Sequence, residues 1–183
     1  IEPRPYERKQ VLSDQKSSNE LIDGLNKSVK PILLAGELAR GENVRDLLVQ
    51  LSDRLGAPVI SAYRCQDVVE NHHPCYAGHL EINPVEYQDK LFEESDFIAV
   101  LGSRLDGITS REETLIKDDD KWAHIHPDNI VLERFNSDIP VQSDVVPLLT
   151  DIMNRIEQKD HKDSKWRSKA HSDYLKFSTA GSY

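Results

Sequence analysis

Short unbroken apolar runs recur along the chain: KPILLAG (30–36), APVISAY (57–63), DFIAVLG (96–102) and WAHIH (122–126). A strand with one wet face alternates apolar and polar residues, whereas a strand covered on both faces reads as a continuous run. These runs are continuous, so each demands cover above and below. The cover is present in the intervening segments. ENVRDLLVQLSDRLG sets Val44, Leu47, Leu48, Leu51 and Leu55 at helical spacing and stops at Gly56. SSNELIDGLNKS places Leu21, Ile22 and Leu25 on one face, with Ser17 or Ser18 as the expected cap. PVEYQDKLFEES predicts a helix with Pro84 in its first turn, and DVVPLLTDIMNRI one with Val146, Leu149, Ile152, Met153 and Ile156 on a stripe. Two shorter strands are expected near Tyr76 and over IPVQ (139–142). Strands alternating with helices predict an α/β, Rossmann-like three-layer domain with a parallel sheet of about six strands; the expected order is 3-2-1-4-5-6, the one doubly wound sheets of this type adopt.

At 183 residues the chain suits one domain with some length to spare. Residues 1–16 are polar, carry Pro3 and Pro5 and lack a period, which predicts an extended linker arm. Residues 17–157 form the domain. Residues 158–183 read as a charged linker and a weaker helix with Trp166, Ala170, Tyr174 and Phe177 along one face. Both terminal segments are expected to pack poorly on the domain. The chain opens on Ile1, and the segment IEPRPYERKQ resembles neither a secretory nor an organellar leader, so a piece of a longer, cytoplasmic protein is expected. Two cysteines without CxxC spacing agree with a reducing compartment. A formal charge of −9 argues against nucleic acid, whose phosphates need a basic footprint, and no apolar run is long enough to span a bilayer.

In open parallel sheets, ligands sit beyond the carboxyl ends of the strands where strand order reverses. With the predicted order, the runs ending at Gly36 and Gly102 flank that point. Ser103, Arg104 and Asp106 follow in a loop, and an arginine fork there suits a diphosphate. The residues leave two readings open: an anion site, or a strand ending in a polar turn. AGELARGE lacks the GxGxxG pattern, and Glu37 would repel a pyrophosphate. His72, His73 and Cys75, with Cys65 and His79 near in sequence, crowd into one irregular stretch rather than the paired spacings of structural zinc sites, so a surface loop without metal is expected. His124 and His126 share one strand face by period two and read as polar strand-end residues.

The ordered set KPILLAGE, VRDLLVQLSDRLGAPVISAY, HPCYAGHL, LFEESDFIAVLGSRLDG, HIHPD and DIPVQSDVVPLLTDI resembles the central domain of thiamine-diphosphate-dependent enzymes of the acetolactate synthase type. The resemblance runs from about Ser17 to Ile156. It implies a fold of the DHS-like NAD/FAD-binding type, set between a pyrimidine-binding and a diphosphate-binding domain, in a homo-oligomeric parent using thiamine diphosphate and magnesium. The family's GDG and paired-asparagine cofactor motif is not in this chain, so no thiamine chemistry is expected of the fragment by itself. Some relatives hold FAD or ADP here. The resemblance carries that cofactor contact onto Gly36, Gly102, Ser103, Arg104, Asp106, His124 and Asp144. His124 and His126 stand where FAD-binding members have aspartates, which favours ADP over FAD and an empty crevice over either. A free-standing Rossmann-type nucleotide-binding module is the alternative reading.

Overall fold

The computed structural model describes residues 9–157 and 164–179. Six strands run in chain order: β1 (Pro31–Ala35), β2 (Val59–Ser61), β3 (Tyr76–His79), β4 (Phe97–Leu101), β5 (Trp122–His126) and β6 (Ile139–Gln142). They form one sheet in the order β3-β2-β1-β4-β5-β6, every neighbouring pair parallel, as expected. Among the described residues six α-helices flank it: α1 (Gln15–Lys27), α2 (Glu42–Leu55), α3 (Glu86–Glu94), α4 (Asn129–Glu133), α5 (Val145–Arg155) and α6 (Lys165–Thr179).

The continuous runs are buried on both faces for the stated reason. Along β1, Leu33 and Ala35 enter one core cluster with Leu21, Leu48, Leu51 and Leu149 of α1, α2 and α5. Ile32 and Leu34 enter the other, with Leu91 and Phe92 of α3 and Trp166 of α6. All five β1 residues are buried.

Local signals were obeyed with small displacements. Gly56 closes α2 at φ 64°, the left-handed conformation that glycine adopts cheaply. The cap of α1 is Asp14, whose Oδ1 accepts from Ser17 N at 2.9 Å, not Ser17 or Ser18. A carboxylate there outcompetes the hydroxyls because it also meets the positive end of the helix dipole; Ser18 is buried instead. Pro84 lies before the first turn of α3, outside it. On α5 the stripe turns slightly, so Val145 and Leu148 are buried and Val146 only partly.

The expectation that the ends pack poorly is corrected where they are described. Val11 N donates to Asp144 Oδ2 at 2.8 Å and Asp144 N donates to Val11 O at 2.9 Å, tying the arm to the start of α5. Helix α6 wraps the β3 edge. Trp166 is buried with Nε1 donating to Pro31 O at 2.9 Å, Arg167 pairs with Asp53, His171 Nδ1 donates to Tyr76 O at 2.7 Å, and Tyr174 meets Tyr76 edge-on at 5.0 Å. An edge strand covered this way is protected from pairing with another chain. The expected arm over residues 1–8 and linker over 158–163 lie outside the described residues. No helix among the described residues is long and apolar enough to cross a membrane.

Candidate functional site

The reversal of strand order lies between β1 and β4, and the two glycines adjoin there. Gly36 N donates to Leu101 O at 2.9 Å, Leu38 N to Gly102 O at 2.9 Å, and Gly102 N to Ile125 O at 2.9 Å. These are the backbone donors that a diphosphate would need, and they are used within the sheet ends. The glycines serve close approach of chain to chain. A Cβ on Gly36 would lie 2.4 Å from Ser103 Cα, and one on Gly102 would lie 2.8 Å from both Leu38 Cβ and Val145 Cγ2. Gly102 also has φ 66°.

Ser103 is fully buried; its Oγ accepts from Leu105 N at 3.1 Å and its carbonyl accepts from His124 Nε2 at 2.8 Å. Leu105 follows in the left-handed region at φ 48°. Asp106 holds its own loop: Oδ1 accepts from Ile108 N and Thr109 N at 3.0 and 3.1 Å, and Oδ2 from Thr109 Oγ1 at 2.9 Å. Thr109 Oγ1 in turn accepts from Tyr63 N at 3.2 Å, linking this loop to the chain after β2. Asp144 faces the arm, as above.

Arg104, with 72% of its side chain open, is exposed, as is Asp106. Its Nε and its backbone N both donate to Glu37 Oε1, at 2.9 and 3.2 Å. The carboxylate expected to repel a pyrophosphate therefore does more: it accepts both Arg104 donors itself. In the sequence, Glu37 and Arg104 stand as separate features. Their pairing spans 67 residues and becomes visible only once β1 and β4 are neighbours.

His124 is a correction. It is fully buried in the middle of β5, not a polar strand-end residue. Its ring stacks on Trp122 at 5.6 Å and meets Phe135 edge-on at 5.7 Å. Since a carbonyl can only accept, Nε2 carries the proton; Nδ1 is buried and has no hydrogen-bond partner among the described residues. Burial pushes the imidazole down to about 4, against the smaller opposing effect of the Ser103 carbonyl. His126, 5% exposed, accepts from Asp128 N at 3.0 Å through Nδ1, and burial lowers its pKa as well.

The stretch expected to be a surface loop is likewise corrected. Cys65 and Cys75 are buried and free, and burial raises both thiols, Cys75 to about 11. His73 Nδ1 lies 3.0 Å from Cys75 Sγ. Cys65 follows the carboxyl end of β2 whereas Cys75 precedes the amino end of β3, so the parallel pairing puts them at opposite ends of the sheet. Among the described residues no three His, Cys, Asp or Glu side chains gather as a metal cluster. A groove of about 630 Å³ lined by Gly24, Phe97, Lys121, Asp138 and Ile139 lies at the amino ends of the strands, away from the two glycines.

The profile of the family described as "Thiamine pyrophosphate enzyme, central domain" matches residues 18–152. The chain is 31% identical over 104 residues to a sulfoacetaldehyde acetyltransferase of Alcaligenes xylosoxydans xylosoxydans, covering 56% of this chain and 17% of that protein. It is 25% identical over 135 residues to pyruvate decarboxylase 3 of Arabidopsis thaliana, covering 71% and 23%. It is 25% identical over 166 residues to an acetolactate synthase of Arthrospira platensis, covering 88% and 28%. The chain thus spans less than a third of the length of each of these relatives. In fold it is similar to a putative thiamin diphosphate-dependent enzyme from Mycobacterium smegmatis, with a TM-score of 0.70 at 17% identity, over 88% of this chain and 31% of that one. With the family profile covering most of the chain and the expected strand order in place, this chain belongs to the thiamine pyrophosphate enzyme family as its central domain.

Proposed function

We propose that this chain is the structural, non-catalytic central domain of a thiamine-diphosphate-dependent enzyme that acts on a 2-keto acid by decarboxylation and carboligation. Pyrimidine-binding and diphosphate-binding domains of the same parent would hold thiamine diphosphate and magnesium, in a cytoplasmic homo-oligomer. Support comes from the family and from relatives named as acetolactate synthase and pyruvate decarboxylase. The observation that carries the scaffold reading is at the switch point. There Asp106, Asp144 and His124 are each spent on holding a loop, an arm or a buried carbonyl, and the backbone donors of Gly36, Leu38 and Gly102 are spent on one another's strands. Titration of the purified chain with thiamine diphosphate and magnesium in a calorimeter tests it. No saturable binding and no consumption of pyruvate are expected; binding tighter than about millimolar overturns the reading.

A second reading keeps an adenine nucleotide in the crevice, and one observation favours it. Two donors of Arg104 converge on a single oxygen, and a phosphate oxygen accepts as a carboxylate oxygen does. The remaining contacts carried over from relatives fit poorly. His124 and Ser103 are sealed from solvent, and Gly36 is packed against Ser103. FAD is therefore disfavoured, and ADP would be held at Arg104 by its diphosphate. Loss of a charge-assisted hydrogen bond costs about 1.5–3 kcal/mol, so Arg104→Ala should weaken ADP binding about tenfold or more. Equal binding by both proteins removes Arg104 from the site.

A further inference from the structure

We infer that Glu37 is a built-in competitor for the anion site at Arg104, so that the affinity of this crevice for a diphosphate is set by Glu37. The inference rests on the second reading above and adds what controls that site. An ordinary surface ion pair joins two long side chains that find each other by chance, and it contributes little. This one differs in two respects. One carboxylate oxygen, Glu37 Oε1, takes both a backbone and a guanidinium donor of the same residue, which is the arrangement an anion site presents to its ligand. The carboxylate is also delivered by fixed backbone. The residues on either side of it are clamped to β4, through Gly36 N to Leu101 O and Leu38 N to Gly102 O, both at 2.9 Å. Glu37 is 29% exposed while Arg104 is 72% exposed, so the acid is held against the fold and the arginine closes over it from solvent. A diphosphate that takes Nε and the backbone N of Arg104 must displace this carboxylate, and one held at the terminal guanidinium nitrogens must still tolerate its charge a few ångströms away. Both effects oppose binding; the repulsion vanishes with the charge, and the displacement vanishes only with the side chain.

The test uses the whole chain and compares wild type with Glu37→Gln, Glu37→Ala and the double variant Glu37→Ala/Arg104→Ala. ADP and inorganic pyrophosphate are titrated in a calorimeter, and the backbone N–H and Nε–H resonances of Arg104 are followed by NMR without ligand. Glutamine keeps the shape and a neutral acceptor, so it should tighten binding less than alanine, which should tighten it about tenfold or more. The double variant should lose that gain. The Arg104 resonances should move in both single variants before any ligand is added. Unmoved resonances, or ADP binding that is equal in wild type and Glu37→Ala yet weakened by Arg104→Ala, would overturn the competitor and leave the nucleotide reading standing. Resonances that move while neither ADP nor pyrophosphate binds any variant up to millimolar would mean that the pair exists but the crevice takes no diphosphate, and the inference falls together with the reading beneath it. Pyrophosphate binding without a further gain for ADP would assign the site to the phosphates alone.

Discussion

His124 illustrates how one side chain carries several demands. Its neutral ring fills the space between Trp122 and Phe135 while Nε2 satisfies a buried carbonyl. Because its folded pKa of about 4 lies below the ordinary value near 6.5, the unfolded chain binds the proton more readily between those values. The stability that this implies is complete above about pH 6.5 and is lost as pH falls towards 4, amounting to about 2 kcal/mol by pH 5. Urea unfolding at pH 7.5 and 5 should show the wild type losing stability by that order. His124→Phe should be less stable at pH 7.5 by about 1–3 kcal/mol, since Ser103 O is left unsatisfied, and the gap should narrow at pH 5. A gap that stays constant would mean that the ring is not the titrating group. Gly36 poses a purely steric question, because its φ of −106° suits any residue. Gly36→Ala should cost about 1–3 kcal/mol by pushing Ser103 away, read from the denaturation midpoint.

Helix α6 is the element whose behaviour departs most from expectation. Its apolar spacing is sparse, and propensity alone leaves it marginal. Tertiary partners supply the rest: Trp166 and Ala170 are buried in the core cluster on the α3 side, and His171 answers the Tyr76 carbonyl at the sheet edge. Removal of a large buried aromatic typically costs several kcal/mol, so Trp166→Ala should destabilise the chain by about 3 kcal/mol. Hydrogen exchange should find the amides of Lys169–Tyr174 protected to a degree comparable with β3. Exchange at the rate of a free peptide would show that the helix is not docked in solution. The segment around Val11 has the opposite character, since two backbone–side-chain and backbone–backbone links to Asp144 hold it without a large apolar anchor. It should exchange faster than α6.

At the scale of the whole molecule, one sheet separates two core clusters and both terminal elements pack on it, so the chain should unfold as a unit. The two tryptophans report on this from different places, Trp122 in β5 and Trp166 in α6. In each of Trp122→Phe and Trp166→Phe the fluorescence melt of the remaining tryptophan should coincide with that variant's own loss of helical circular dichroism, as two-state behaviour requires; in Trp122→Phe, where Trp166 reports, a fluorescence transition earlier than the loss of circular dichroism would mark α6 as a separate unit. Residue pattern was enough for the strands and helices, which follow from local facts: continuous apolar runs, helical spacing, and glycines at the ends of elements, each read within a few residues. Their order, and with it the switch point, was the order that doubly wound parallel sheets adopt, and the sheet has it. The same order brings Gly36, Gly102, Ser103 and Arg104 beside one another, because it makes the ends of β1 and β4 neighbours. Tertiary structure decided what those neighbours do. Whether Glu37 faces Arg104, whether His124 is sealed, and whether α6 finds a partner depend on contacts spanning 67, 21 and 95 residues, respectively. No local period encodes such distances, since they are settled by which side chains the packed sheet leaves facing one another.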